Sequence, residues 1–238
     1  MSDRKRVLIT GAGGRIGGHL ASTLKDRYDL RLLYNRTRPE EPPVDDYFTA
    51  DIADFDAVRP ALTGMDAVVH LAAQGSPYAE WDEVREKNIS GTYNVFESAR
   101  QAGATKIVFA STNHVMGMYD RDGQWPIYAN QPVRPDSLYG VSKAFGENLG
   151  RYYYDQYGIS VICLRIGWFL TEPRDDFGEW SILTPRDCAQ IVEKALEADL
   201  GYGIFYAISG NAGRNWDITD AIVKLGYRPE DDGARMGG

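Results

Sequence analysis

Cysteine is almost missing from these 238 residues. Cys163 and Cys188 stand alone, far apart and in no metal-type spacing, so neither a disulfide framework nor a metal site organises the fold, and buried reduced thiols are expected. Positive charge is also in deficit: 26 Lys and Arg against 34 Asp and Glu leave a net charge of −8, with no block of basic residues. That is the wrong sign for nucleic acid or an anionic membrane as main partner, since both require a basic footprint. No apolar run approaches the length that spans a bilayer, and the chain enters a strand within six residues of Met1; a cytoplasmic location is the expectation. Internal repeats and low-complexity tracts are lacking. What is present is the 43% hydrophobic content of an ordinary soluble enzyme, enough for a sizeable core.

The most informative stretch is the first. Residues 5–10 form an apolar strand, Gly11-Ala12-Gly13-Gly14-Arg15-Ile16-Gly17 a tight turn, and residues 18–26 an amphipathic helix. Glycines at 11, 14 and 17 suit a sharp turn, close approach of a pyrophosphate to bare backbone, and close helix–strand packing. The helix N-terminus then offers free N–H groups to phosphates. The context, strand before and helix after, favours dinucleotide binding over a ligand-free turn, with Gly11, Gly14, Arg15, Ile16 and Gly17 as candidate contacts.

Further along, residues 29–34 read as a second strand. No acid follows it, although such folds commonly place one there for the adenosine ribose. Asn35, Arg36 and Arg38 suit a ribose carrying a 2′-phosphate better than a bare diol, a lean toward NADP over NAD that Asn35, able to bond a hydroxyl, leaves open. Residues 47–50 form a short strand ending at Asp51 and Ile52, where adenine should lie, and Asp54 caps the next helix. The strand at 67–73 ends in Leu71, Ala72 and Ala73, small enough to admit the cofactor. His70 within it reads as a satisfied core histidine. Residues 80–101 carry a helical pattern containing Asn88, read equally as a brace near the cofactor or as an exposed amide. The fifth strand, 106–110, delivers Ser111, Thr112, Asn113 and His114 to the carboxyl edge of the sheet, which is the catalytic edge in parallel α/β proteins. A long loop punctuated by Gly123, Pro126, Pro132 and Pro135 follows, then a helix at 138–157, a sixth strand at 159–166, an irregular stretch at 167–183, a helix at 185–198, a strand at 204–208 and a short helix at 217–225.

Tyr139 and Lys143 lie one helical turn apart on one face. An ammonium in that place stabilises tyrosinate, bringing the phenol's pKa from about 10 toward working pH and making it a general acid/base. Thr112 would hold the substrate oxygen while hydride passes to a nicotinamide. Such a pair taken alone is an everyday surface feature; in order after the glycine turn and the Ser/Thr cluster it is not.

Together the GxxGxxG of residues 11–17, Ser111-Thr112 and Tyr139-Gly-Val-Ser-Lys143 resemble the extended short-chain dehydrogenase/reductase superfamily, the NAD-dependent epimerase/dehydratase type, over nearly the whole chain. Residues 109–114, 138–149 and 164–167 are more narrowly similar to uronate dehydrogenases and haloarchaeal glucose-6-phosphate dehydrogenases. The resemblance implies a Rossmann-like doubly wound parallel sheet of order 3-2-1-4-5-6-7 in a single domain, 1–238, with 167–184 and 209–238 forming a small substrate cap. It implies oxidation of a sugar at its anomeric carbon to a lactone, with Tyr139 as base, Lys143 as its partner and ribose anchor, and Ile166 beside the nicotinamide. Gly75, Ser76, Asn113, His114, Trp168 and Arg174 become candidate substrate contacts. It also implies a homodimer through the helices at 80–101 and 138–157.

Two departures from that pattern bear on specificity. Where uronate dehydrogenases carry a serine and an arginine for the sugar and its carboxylate, Trp168 and Phe177 stand here, with Arg174 nearby, which keeps neutral and phosphorylated sugars open. The acidic ribose ligand is also missing. About seventy residues follow the sixth strand, little room for clamping a second nucleotide when compact domains usually exceed ~50 residues. A small sugar fits better than a nucleotide-linked one. The competing readings are an epimerase or dehydratase that uses its cofactor transiently, and a non-catalytic cofactor sensor; the second has no need of Tyr139 and Lys143.

Overall fold

The computed structural model describes residues 4–172 and 178–235. Strand β1 (Arg6–Thr10) turns into α1 (Arg15–Leu24), followed by β2 (Asp29–Tyr34), β3 (Tyr47–Thr49), α2 (Phe55–Leu62) and β4 (Ala67–His70). The short α3 (Trp81–Glu83) runs through a π-helical segment, Val84–Ser90, into α4 (Gly91–Ala102). Then come β5 (Lys106–Thr112), a 3-10 turn (Asn113–Met116), α5 (Gly117–Arg121), α6 (Leu138–Tyr157) and β6 (Ser160–Ile166). The chain continues through β7 (Trp168–Phe169), β8 (Ile182–Leu183), α7 (Pro185–Glu197), β9 (Tyr202–Ala207) and a second π-helical segment, Ala221–Leu225.

Seven strands form one parallel sheet in the order β3-β2-β1-β4-β5-β6-β9, the expected order with β9 as the seventh strand. One expectation is corrected. The stretch after β6 is not wholly irregular, because β7 and β8 pair in parallel as a separate two-stranded piece.

Parallel strands are covered on both faces and therefore read as continuous apolar runs. In β1, Val7 and Ile9 face the side that α1 and α7 cover with Leu20, Ile191 and Val192, while Leu8 faces the side covered by α2, α4 and α6 through Val58, Phe96 and Tyr153. A third cluster, built on Val115, Ile127, Tyr206, Ile208 and Trp216, packs the chain after β5 against the end of β9. The C-terminal segment is tied to the start of α7: the Asp187 carboxylate accepts from the Glu230 and Asp231 amides, and the Tyr227 hydroxyl donates to the Ile208 carbonyl. Among the described residues no helix is long and apolar enough to cross a membrane.

The order reverses direction at β1, where the chain builds β2 and β3 to one side and β4 onward to the other. That topological switch point opens a crevice at the carboxyl ends of β1 and β4, the place where open α/β sheets take their ligands.

Candidate active site

The crevice starts at the glycine turn. Gly11 has φ +71, and a Cβ there would meet the Ala72 amide nitrogen at 2.8 Å. At Gly17 a Cβ would lie 2.2 Å from the Gly11 carbonyl oxygen, so α1 can pack this close to the turn only with glycine. Gly14 is the N-cap residue of α1. No side chain caps this helix, and no acid lies in its first turn, so its N–H groups and positive dipole end remain directed at the crevice. The opposite wall is fixed by the Thr10 hydroxyl, which accepts from the Leu71 and Ala72 amides at 3.1 and 3.2 Å and pairs with His70 Nδ1 at 2.8 Å. His70 also reaches the Thr92 hydroxyl at 3.3 Å. Burial, helped by the nearby Lys143 charge, pulls its pKa down to about 3. It is a neutral core histidine that joins β1, β4 and α4.

Two cavities of about 620 and 290 Å³ share Gly11, Gly14, Leu71 and Ala73, and so form one cleft crossing the glycine turn. The larger is lined by Asn35, Arg36 and Ile52, expected at the adenosine end, by Ala72, expected along the cofactor, and by Lys87, which no sequence signal marked. Asp51, a candidate adenine contact, does not line it. Its carboxylate pairs with Lys87 Nζ at 2.7 Å and accepts from the Ala53 amide at 3.0 Å; burial opposes ionisation there, but Lys87 and the amide outweigh it and hold the pKa below the usual range.

Asn88 likewise does not line the cleft as a direct cofactor contact; of its two readings the structure favours the brace over the exposed amide. The side chain is fully buried: its oxygen accepts from the Gln74 amide at 2.7 Å, and its nitrogen donates to the Gln74 carbonyl and to Ser142 Oγ at 3.0 and 2.9 Å. It braces the loop after β4 against α6. The π-helical turn that carries it alters the helical period, and such insertions often serve to aim a side chain.

The smaller cavity gathers the chemistry. Arg15 and Ile16 from α1, Thr112, Asn113 and His114 from the end of β5, Tyr139 and Lys143 from α6, and Ile166 from β6 all line it, as do Gly75 and Trp168. Ser76 does not: its hydroxyl accepts from the Tyr78 amide within its own loop. Arg174 and Phe177 lie outside the described residues. Helix α6 is started by Ser137, whose hydroxyl accepts from the Gly140 amide at 3.1 Å, and it can lie against β5 because Gly146 leaves room for Phe109.

In the chain alone, burial works against the acidity expected of this pair. Lys143 Nζ lies 4.9 Å from the Phe109 ring centroid and 5.9 Å from that of Tyr139, over ring faces rather than on the phenolic oxygen. Burial pushes the Tyr139 phenol up to about 12 against the Thr112 hydrogen bond that favours phenolate, and pulls Lys143 down to about 7. In the chain's own surroundings desolvation outweighs the pairing that sequence spacing suggests. The one proton of Thr112 Oγ1 is shared between that bond to Tyr139 and Asn113 Oδ1 at 3.1 Å, and the oxygen accepts from the His114 amide at 3.3 Å.

Under this site lies a network that sequence reasoning missed. Glu147, one turn beyond Lys143, receives Arg165 Nε and a terminal guanidinium nitrogen, each at 2.8 Å, and the Ser111 hydroxyl at 2.6 Å. Arg165 also donates to the Ala129 carbonyl. Each member neighbours a site residue: Ser111 precedes Thr112, and Arg165 precedes Ile166. An arginine inside an otherwise apolar strand was the available signal, since a charge buried there must be paired.

The sequence model described as the NAD dependent epimerase/dehydratase family matches residues 7–223. The chain belongs to that family. It is 40% identical to an NAD-dependent glucose-6-phosphate dehydrogenase of Haloferax volcanii, covering 97% of this chain and 95% of that one. It is 41% identical to an L-arabinose 1-dehydrogenase (NAD(P)+) of the same organism, covering 97% and 98%. The crystal structure of uronate dehydrogenase from Agrobacterium tumefaciens superimposes with a TM-score of 0.87 at 33% identity, covering 97% of this chain and 86% of that one. For a family that takes a dinucleotide, the glycine cradle at Gly11, Gly14 and Gly17, the uncapped start of α1 and the double cleft fit the cofactor.

Proposed function

We propose that this protein is an NAD(P)-dependent sugar dehydrogenase that oxidises a small cyclic sugar at its anomeric carbon to a lactone. The observation carrying this reading is that Thr112, Tyr139 and Lys143 wall one cavity continuous with the glycine turn. The bound nicotinamide would accept the hydride from the anomeric carbon. Tyr139 takes the proton of the anomeric hydroxyl as the carbon–oxygen double bond forms, and Thr112 holds that oxygen in line. Lys143 bonds the nicotinamide ribose and its charge favours phenolate, which the phenol requires because burial works against ionisation. Asn113 and His114 hold sugar hydroxyls, Trp168 faces the sugar, and Ile166 packs at the nicotinamide end.

At the other end of the cleft, Glu83 is engaged by Gln74 at 3.1 Å and Glu86 by Lys87 at 2.7 Å, while Arg36 makes no ion pair among the described residues. Arg36 thus supports acceptance of NADP as well as NAD, with NADP favoured. We further propose a homodimer through α4 and α6, whose exposed Tyr93, Tyr152 and Tyr157 support such a contact; sedimentation at two protein concentrations reads it. Residues 167–184 and 209–238 serve as the substrate cap of a single domain.

Turnover with NAD and NADP against a panel of aldoses, uronates and sugar phosphates tests the reading. Cofactor reduction with at least one sugar is expected. Silence with every sugar in both cofactors, or tightly held nucleotide without net reduction, would overturn it.

A further inference from the structure

His114 and Asp136 are far apart in sequence and meet at the wall of the smaller cavity. His114 Nδ1 lies 3.0 Å from each Asp136 carboxylate oxygen. The carboxylate is 9% exposed. Its Oδ1 also accepts from the Ser137 hydroxyl at 3.0 Å, and Arg121 approaches Oδ2 at 3.9 Å. The space is reserved for it: a Cβ on Gly117 would fall 2.2 Å from Oδ2. Burial opposes its ionisation, but the hydrogen bond and charge of His114, the Ser137 hydrogen bond and the Arg121 charge hold its pKa below the usual carboxylate value. An ionised carboxylate only accepts hydrogen bonds. The proton must therefore sit on Nδ1, and a neutral ring then has its lone pair on Nε2. That ring stands edge-on to Tyr139, with centroids 6.0 Å apart, and both residues line the smaller cavity.

We infer that Asp136 is a positioning residue for substrate recognition: it holds His114 in the Nδ1–H form, so that Nε2 accepts a hydrogen bond from the sugar hydroxyl on the carbon next to the one oxidised. The inference rests on the proposed sugar oxidation. It names the substrate class more narrowly, as an aldose bearing a free hydroxyl at the second carbon. A sugar lacking that hydroxyl leaves Nε2 dry and unpaired, which is how a site built to bond a hydroxyl rejects the deoxy analogue.

Two readouts test it, one of them independent of turnover. The chain has three histidines, so ¹⁵N-histidine labelling with His114→Gln as the assignment control resolves the ring nitrogens. The neutral ring of His114 should carry its proton on Nδ1. Asp136→Ala should release that preference, and Asp136→Asn, whose amide oxygen still accepts, should restore it. Kinetically, the wild-type protein should prefer D-glucose 6-phosphate or L-arabinose over the matching 2-deoxy sugar by roughly tenfold or more in kcat/KM. Asp136→Ala should lose most of that preference through KM with kcat little changed, and Asp136→Asn should recover it. A proton on Nε2 in the wild-type protein, or an unaltered preference in Asp136→Ala, would overturn the inference alone. A wild-type protein that oxidises no sugar at all would overturn the proposed function, and the recognition step with it.

Discussion

Two successive turns of α6 bury charged side chains to the same depth and surround them differently. At the first, Lys143 is 2% exposed, its ammonium over the rings of Phe109 and Tyr139 and burial lowering its pKa to about 7. At the second, Glu147 is also 2% exposed, yet it receives two hydrogen bonds from Arg165 and one from Ser111. A buried charge without a partner is costly, and folding retains one only where something else needs it. The paired turn ties β5, α6 and β6 together, and the turn whose charge has no ion pair among the described residues is the one the proposed proton transfer uses. Depth alone does not tell the two roles apart; the count of partners does.

The comparison can be broken first at the paired turn. Glu147→Ala leaves Arg165, 1% exposed, buried without its counter-charge, and should lower unfolding stability by about 3–5 kcal/mol, read by urea denaturation. The unpaired turn should respond in the opposite sense. Because the folded pKa of Lys143 lies near 7 and the unfolded one near 10.5, unfolding takes up a proton between those values, and stability rises with pH through that window. Lys143→Met should therefore be more stable than wild type by a few kcal/mol at and below pH 7, on the order set by such shifts, with the gain fading toward pH 10.5. Thermal melts across pH show this, and a loss of stability at pH 7 would contradict it. A smaller effect sharpens the contrast. Ser111→Ala removes one hydrogen bond to a charged acceptor and should cost about 1.5 kcal/mol while leaving the cofactor affinity unchanged, as titration would record.

How much of this could be read in the residues follows from where each signal is stored. The start of the chain was legible because an apolar run, a glycine spacing and a 3.6-residue period stand side by side. The sheet order came with the family resemblance that those motifs carry, since the pattern of strands and helices does not by itself order a sheet. Tyr139 and Lys143 were legible because one helix carries both. Contacts between distant elements were not: Asp51 with Lys87, Asp136 with His114 and Glu147 with Arg165 are each joined only by the fold. Asn88 stayed undecided between a brace and an exposed amide because a π-helical turn breaks the period on which helical faces are judged. Strands β7 and β8, two residues each, are too short to show an alternation. Spacing also reports the neighbour of Tyr139 but not the burial that opposes its ionisation.

The central claim, that the first turn of α6 is kept for proton transfer, meets its most direct test in Tyr139→Phe, with nicotinamide-cofactor affinity and sugar turnover measured on one preparation. The phenyl ring preserves the cavity wall and removes the proton-accepting oxygen. Affinity should stay within a few-fold of wild type while turnover falls by about 10²–10⁴. Turnover that survives the substitution, with affinity intact, would contradict the account.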